Sequence, residues 1–303
     1  MNILIVGLGS IAKKHIRALD DLGIHTDIVA LRSSDTSQPL EGVQSISNIS
    51  ELIKTPDFAI VSNPAPLHLQ TIEKLLPLQC PLFIEKPLAL TLEGIDDTIK
   101  KIEEAGVKTY IGCQMRHHPC LRHLRETMNI KDCTIKSVTV YDGSYMPNWV
   151  PDKDFTKTIR VSEEVSGGVH MELIHEMDYV YWLFGNPENI QKEFKRTGIL
   201  GVDIIDDAHY DLAYSGFTAT IDVNYIDKTA KRSIQIETDN SVILADLLAG
   251  KIFENDQEIF STDWTMREVL KAQMQYFLEA LEKEIPPLNS VQEGLKVLQM
   301  ALQ

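Results

Sequence analysis

Apolar and polar positions in the first third of the chain follow two alternating rhythms. Short, continuous apolar runs occur at Asn2–Val6, Asp27–Leu31, Phe58–Ser62, Leu82–Glu85 and Val107–Gly112. Between several of them apolar residues recur at helical spacing, at Ile11–Leu22, Leu67–Leu76 and Leu92–Ala105, with a short stretch near Ile49–Lys54. Continuous apolar runs suit strands buried on both faces, and helical spacing suits segments packed by one side. Strands separated by helices of this length predict a right-handed, doubly wound parallel sheet.

The pattern changes after about residue 115. Strand-like segments then follow one another at Ile135–Tyr141, Ala208–Tyr214, Thr218–Tyr225, Ser233–Glu237 and Lys251–Phe253, with turn signals at Ser215-Gly216 and Asp239-Asn240. This predicts a mostly antiparallel open sheet, covered on one face by a helix from about Met171 to Phe184. Helical patterns at Met266–Lys283 and Val291–Leu302 close the chain. A length of 303 residues favours two domains. The expected division is a Rossmann-type domain over 1–115 and an α/β domain over 116–303, with a ligand cleft between them.

Composition narrows the function. The chain is 44% hydrophobic and 24% charged with a formal net charge of −15, which disfavours nucleic acid and anionic membrane as partners. No run is long enough to span a bilayer. Cys80, Cys113, Cys120 and Cys133 show no C-x-x-C spacing, so free thiols in a reducing, cytoplasmic setting are expected.

The first strand runs straight into Gly7-Leu-Gly9-Ser10-Ile11-Ala12. A strand, a glycine turn and a helix in that order form a dinucleotide site. Gly7 allows the tight turn, Gly9 lets the backbone approach a pyrophosphate, and Ala12 is small enough for helix–strand packing. The helix beginning at Ser10 and Ile11 points its amides and positive end at that anion.

Three further segments carry candidate chemistry. Glu85-Lys86-Pro87 ends a buried strand, where Lys86 can bind a substrate oxygen and pass a proton and Glu85 can hold its ammonium; a solvated turn is the alternative. In Gly167-Gly168…Glu172-Leu-Ile-His175-Glu-Met-Asp178 the spacing of three puts Glu172, His175 and Asp178 on one helix face, suited to acid–base work or to a salt-bridged structural face. A metal site is a further alternative because Glu-x-x-His recurs in carboxylate-bridged metal bundles, but with one such motif and no second ligand helix none is expected. Asn63, Pro64 and His68 follow another strand at the ligand edge, and Arg116 stands at the domain junction; each can contact cofactor or substrate.

Taken in order, these segments resemble the Gfo/Idh/MocA oxidoreductase family across essentially the whole chain. The resemblance implies NAD(P)-dependent redox chemistry on sugars, inositols or sugar derivatives. It also implies that Lys86 and His175 are the catalytic lysine and histidine, with Asp178 as the accompanying aspartate. The family's commoner helix reads Asp-x-Gly-x-His-x-x-Asp, whereas this chain has Glu172 and one residue fewer. The stretch Tyr145–Phe155 resembles a branch linked to bacterial surface-polysaccharide sugars. A cofactor- and sugar-sensing regulator on the same fold is the rival expectation.

The second strand ends in Arg32-Ser33-Ser34 with no acidic residue, which favours NADP over NAD because arginine and hydroxyls suit a 2′-phosphate. Large residues such as Tyr214, Phe217 and Tyr225 in an open sheet predict a homodimer or homotetramer formed through that sheet.

Overall fold

A computed structural model describes residues 1–32, 40–127, 134–286 and 289–303. The first elements are β1 (Asn2–Val6), α1 (Ser10–Asp21), β2 (Asp27–Leu31), β3 (Val43–Ile46), β4 (Phe58–Val61) and α2 (His68–Leu75). Next come β5 (Leu82–Glu85), α3 (Ile95–Ala105), β6 (Thr109–Gly112), α4 (Pro119–Thr127) and β7 (Ile135–Gly143). Three helices follow: α5 (Glu163–Ser166), α6 (Val169–Glu172) and α7 (His175–Phe184). Then β8 (Asn189–Lys195), β9 (Asp207–Tyr214), β10 (Phe217–Asn224), β11 (Lys231–Thr238) and β12 (Val242–Asp246) run in succession. The chain ends with β13 (Lys251–Glu254), β14 (Gln257–Ser261), α8 (Met266–Glu282) and α9 (Val291–Leu302). Ser33, Ser34 and Cys133 lie outside the described residues.

Two compact units result, Met1–Cys113 with Met266–Leu302, and Gln114–Thr265. The expected second domain ran on to residue 303, but α8 and α9 belong to the first unit. Phe277 of α8 packs edge-on against Phe58 and Phe83 at 5.2 and 5.3 Å, and Met274 joins the same core. Arg267 at the start of α8 pairs with Asp21 at the end of α1. Helical spacing announces an apolar stripe without naming the sheet that will cover it.

The first unit is a six-stranded sheet in the order β3-β2-β1-β4-β5-β6, all pairs parallel. Strands β4, β5 and β6 are buried along their whole length, which explains their unbroken apolar runs. The strand order reverses between β1 and β4, so their carboxyl ends open the crevice in which doubly wound folds bind ligands.

The second unit is an eight-stranded sheet in the order β14-β13-β12-β11-β7-β10-β9-β8. Only β7 and β10 pair in parallel. One face carries apolar cross-strand rows, such as Leu212–Ala219–Val138–Ile236–Ile243. The opposite face carries polar rows, such as Asp211–Thr220–Thr139–Gln235. The aromatic residues expected to mark an open face are used within the unit. Tyr225 is buried against Trp149, and Tyr214 stacks on Phe217 at 4.7 Å.

A polar pair interrupts the apolar face. The row through Val223 continues into Asp142 and Arg232, beside the helix that carries His175.

Candidate active site

In the first unit the glycine turn is built as its residue types require, for three different reasons. Gly7 has φ +83°, and a Cβ there would lie 2.9 Å from the backbone of Asn63, so conformation and packing both demand glycine. Ala12 is fully buried under the sheet. Gly9 differs: its φ is −77°, and a Cβ would meet nothing within 4 Å. Nothing among the described residues requires glycine there, whereas a ligand close to the backbone would.

Helix α1 also begins without a side-chain cap on its first amides. Ser10 is exposed and Ile11 half-buried beside them. Uncapped amides and the positive helix end together make an anion site.

The ends of β4 and β5 are fastened to this turn. Ser62 Oγ donates to the carbonyls of Val6 and Gly7 at 3.1 and 3.0 Å. Asn63 Nδ2 donates to Thr71 Oγ1 at 2.8 Å, while its Oδ1 is buried with no partner among the described residues. An orphaned acceptor beside Gly7 fits a polar cofactor rather than a closed apolar turn. His68, also buried, bridges the carbonyls of Asn63 (Nε2, 2.8 Å) and Pro87 (Nδ1, 3.0 Å). It ties the loop carrying exposed Pro64 to the loop carrying Lys86. Burial holds its proton affinity below the usual histidine value, and a neutral ring can donate to only one of those carbonyls.

Lys86 follows β5 directly, half-buried, and its bond to Pro87 is cis. Glu85, expected beside the ammonium, instead faces the core and meets His15 Nε2 at 2.5 Å. His15 lies one turn into α1 with its ring edge-on to Phe83 at 4.8 Å. The helical spacing over Ile11–Leu22 does not single out His15, although a histidine on the buried side of a helix signals a buried partner. Arg32, just after β2, is buried and donates from Nη1 to Ser45 Oγ of β3 at 3.2 Å.

In the second unit the expected single helix is two. Helix α6 ends at Glu172, and α7 restarts at His175 after Leu173 and Ile174. Glu172 therefore leaves the shared face and pairs with Arg160 at 3.2 Å. His175 opens α7, 5% exposed. Asp178, one turn further, is fully buried in a fork with Arg116, whose Nε and Nη2 reach its oxygens at 3.0 and 2.8 Å. Arg116 thus holds the aspartate beside the histidine.

Glu176 was not foreseen as a site residue. It is completely buried, accepts from Arg232 Nε at 2.8 Å, and shares that guanidinium with Asp142 at 3.3 Å. Burial pushes its proton affinity up to about 8, Arg232 opposes this, and Asp142 adds to it. Among the described residues no cluster of histidine, cysteine and carboxylate side chains could hold a metal ion.

Comparison with known proteins agrees with this anatomy. Residues 1–113 match an oxidoreductase family described as having an NAD-binding Rossmann fold. A myo-inositol 2-dehydrogenase from Thermotoga maritima is 24% identical over 208 residues, 66% of this chain and 59% of the relative. The chain thus spans little more than half the length of the curated relatives it matches. Among solved structures, UDP-N-acetylglucosamine 3-dehydrogenase from Acidithiobacillus ferrooxidans superimposes with a TM-score of 0.82 at 19% identity, covering 100% of this chain and 96% of that one. The WlbA dehydrogenase from Chromobacterium violaceum, solved with NADH and UDP-GlcNAcA, gives 0.80 at 21% identity, covering 99% and 91%. At these identities the structures establish the shared fold.

Proposed function

We propose that this chain, whose residues 1–113 match the Gfo/Idh/MocA oxidoreductase family, is an NAD(P)-dependent dehydrogenase of a sugar or nucleotide-linked sugar. The observation that carries the reading is Gly9, a glycine with open space before it at the start of an uncapped helix. Gly7, Gly9, Ser10, Ile11 and Ala12 form the pyrophosphate turn, and Asn63 and Pro64 adjoin it on the loop that His68 ties to the loop carrying Lys86; Arg116 is a further candidate contact for the cofactor. The bound nicotinamide supplies the hydride acceptor or donor.

The side chains handle the proton. His175 takes it from a substrate hydroxyl in the oxidative direction. Lys86 polarises a substrate oxygen and shares a proton. Asp178, its charge met by Arg116, orients the start of α7 instead of exchanging protons itself. Arg32 favours NADP through a 2′-phosphate, with Ser33 and Ser34 as further donors.

The same reading expects a cytoplasmic enzyme, supported by the buried thiols of Cys80 and Cys120. Among the described residues no helix is long and apolar enough to cross a membrane. A role in surface-polysaccharide metabolism rests on the Tyr145–Phe155 stretch. A homodimer or homotetramer would pair the outer rows of the eight-stranded sheet, and light scattering at micromolar concentration tests it.

The activity is tested by following nicotinamide absorbance with the full chain, both cofactors and a panel of free and nucleotide-linked sugars. Turnover with at least one sugar is expected. Tight cofactor and sugar binding with no turnover for any pair would favour a sensing regulator instead.

A further inference from the structure

In the second unit the apolar sheet face ends in a cavity of about 350 Å³, within the range of small-molecule sites. Tyr145 and Trp149 line it, Asp142 and Arg232 form its polar part, and Lys228 and Lys231 come from the β10–β11 connection and the start of β11. Leu173, two residues before His175, lines it as well.

The charges are arranged unevenly. Arg232 pairs with Glu176 and Asp142, so its charge is already answered within the protein. Lys228 and Lys231 are exposed, and neither forms an ion pair among the described residues. The carboxylate beside Lys228 in the chain, Asp227, accepts from Tyr141 Oη at 2.5 Å instead. In a chain of net charge −15, two unpaired lysines at one cavity are a local reversal of sign. Trp149 is fixed by donation from its Nε1 to Ser144 Oγ at 2.9 Å and by the Tyr225 ring at 5.3 Å. A fixed indole gives a sugar ring or a base a flat surface with little ordering cost.

We propose that this cavity receives the glycosyl diphosphate portion of a nucleotide-linked sugar, with sugar hydroxyls toward Asp142 and the diphosphate at Lys228 and Lys231. The proposal rests on the dehydrogenase reading above and narrows its substrate to the phosphate-bearing class. Separate ammonium point charges suit the spread charge of a diphosphate, while a single carboxylate would call for a free arginine fork. Asp142 repels an anion and accepts from hydroxyls, so the two ends of the ligand are told apart.

The test uses the full chain with nicotinamide cofactor bound. Calorimetry with UDP, GDP, CDP and dTDP, and with inorganic pyrophosphate, should show binding of at least one nucleoside diphosphate. The double variant Lys228→Ala/Lys231→Ala should weaken it by about tenfold or more, roughly the loss of one charge-assisted contact. Lys251→Ala, which removes a half-buried lysine of β13 paired with Glu258 of β14, should leave it unchanged. For nucleotide-linked sugars the double variant should raise KM with a smaller effect on kcat.

Failure of wild type to bind any diphosphate, equal weakening by Lys251→Ala, or turnover of the free sugar as efficiently as its nucleotide-linked form would each overturn the assignment. Binding of acidic sugars in place of diphosphates would do the same. If diphosphates bind as expected but no sugar is turned over with either cofactor, the cavity assignment stands and the dehydrogenase reading fails.

Discussion

His15 Nε2 and Glu85 Oε1 lie 2.5 Å apart in the core of the first unit, joining the helix behind the glycine turn to the strand that ends in Lys86. Both side chains are buried, so each satisfies a polar group that would otherwise be stranded. The carboxylate also occupies space at Gly112, where a Cβ would lie 2.9 Å from its Oε1. Replacing His15 or Glu85 by alanine should cost about 1–3 kcal/mol each, the penalty of an unsatisfied buried partner. The double variant should lose less than the sum. Urea unfolding of the full chain checks both; a His15→Ala chain as stable as wild type would show that the pair adds nothing to the fold.

His175 is the cleaner of the two catalytic tests, because it belongs to the unit that does not carry the glycine turn. His175→Ala should lower turnover by at least about two orders of magnitude while cofactor affinity stays near normal. Lys86→Ala should damage turnover as much and also loosen the cofactor. Wild-type turnover in His175→Ala, measured on the true substrate, would make the histidine structural.

Asp178 behaves differently because of Arg116. Asp178→Asn leaves a buried guanidinium facing a neutral amide, so the loss appears first in stability. Breaking one side of a buried pair costs about 3–5 kcal/mol. Thermal unfolding should show Asp178→Asn well below His175→Ala. Equal melting of the two would mean that the fork with Arg116 contributes little.

Much of this arrangement is written locally in the chain. The path β1–Gly7–α1 is legible because strand, turn and helix are consecutive, and so is Lys86 at a strand end. The strands that escape notice are mostly edges: β3, β8 and β14 lie at sheet margins and carry mixed or polar residues, so no apolar run marks them. The break between α6 and α7 is also hidden, since Leu173 and Ile174 are good helical residues. Gly168, with φ +92° and the Ile205 side chain 3.1 Å from its Cβ position, sets the entry to α6 by packing from another part of the chain. Arg116–Asp178 and Arg232–Glu176 join residues 62 and 56 positions apart, and spacing carries no trace of such pairs.

The proposed preference for NADP(H) rests on Arg32. Its guanidinium is held against Ser45 at the end of β2, where the adenosine ribose of a dinucleotide lies in such folds. Wild type should bind NADP(H) more tightly than NAD(H). Arg32→Ala should weaken NADP(H) by about tenfold or more and leave NAD(H) little changed. Fluorescence titration of both cofactors decides; equal or tighter NAD(H) binding by wild type would remove the preference.

The burial of Glu176 predicts a pH-dependent stability for the second unit, with a sign that follows from that burial. The folded carboxyl has its proton affinity raised from 4.5 to about 8, so over that interval the folded chain keeps a proton that the unfolded chain has released. Stability then falls as pH rises through the interval, is unaffected by this group below it, and levels off above it. Asp142, raised in the same direction by burial, acts in the same sense over its own range. Glu176→Gln keeps the shape and a hydrogen-bond acceptor for Arg232 but cannot lose a proton. Chemical unfolding followed between about pH 5 and pH 8 should show a decline in wild type that flattens in Glu176→Gln. The same slope in both proteins would mean that Arg232 keeps Glu176 ionised throughout.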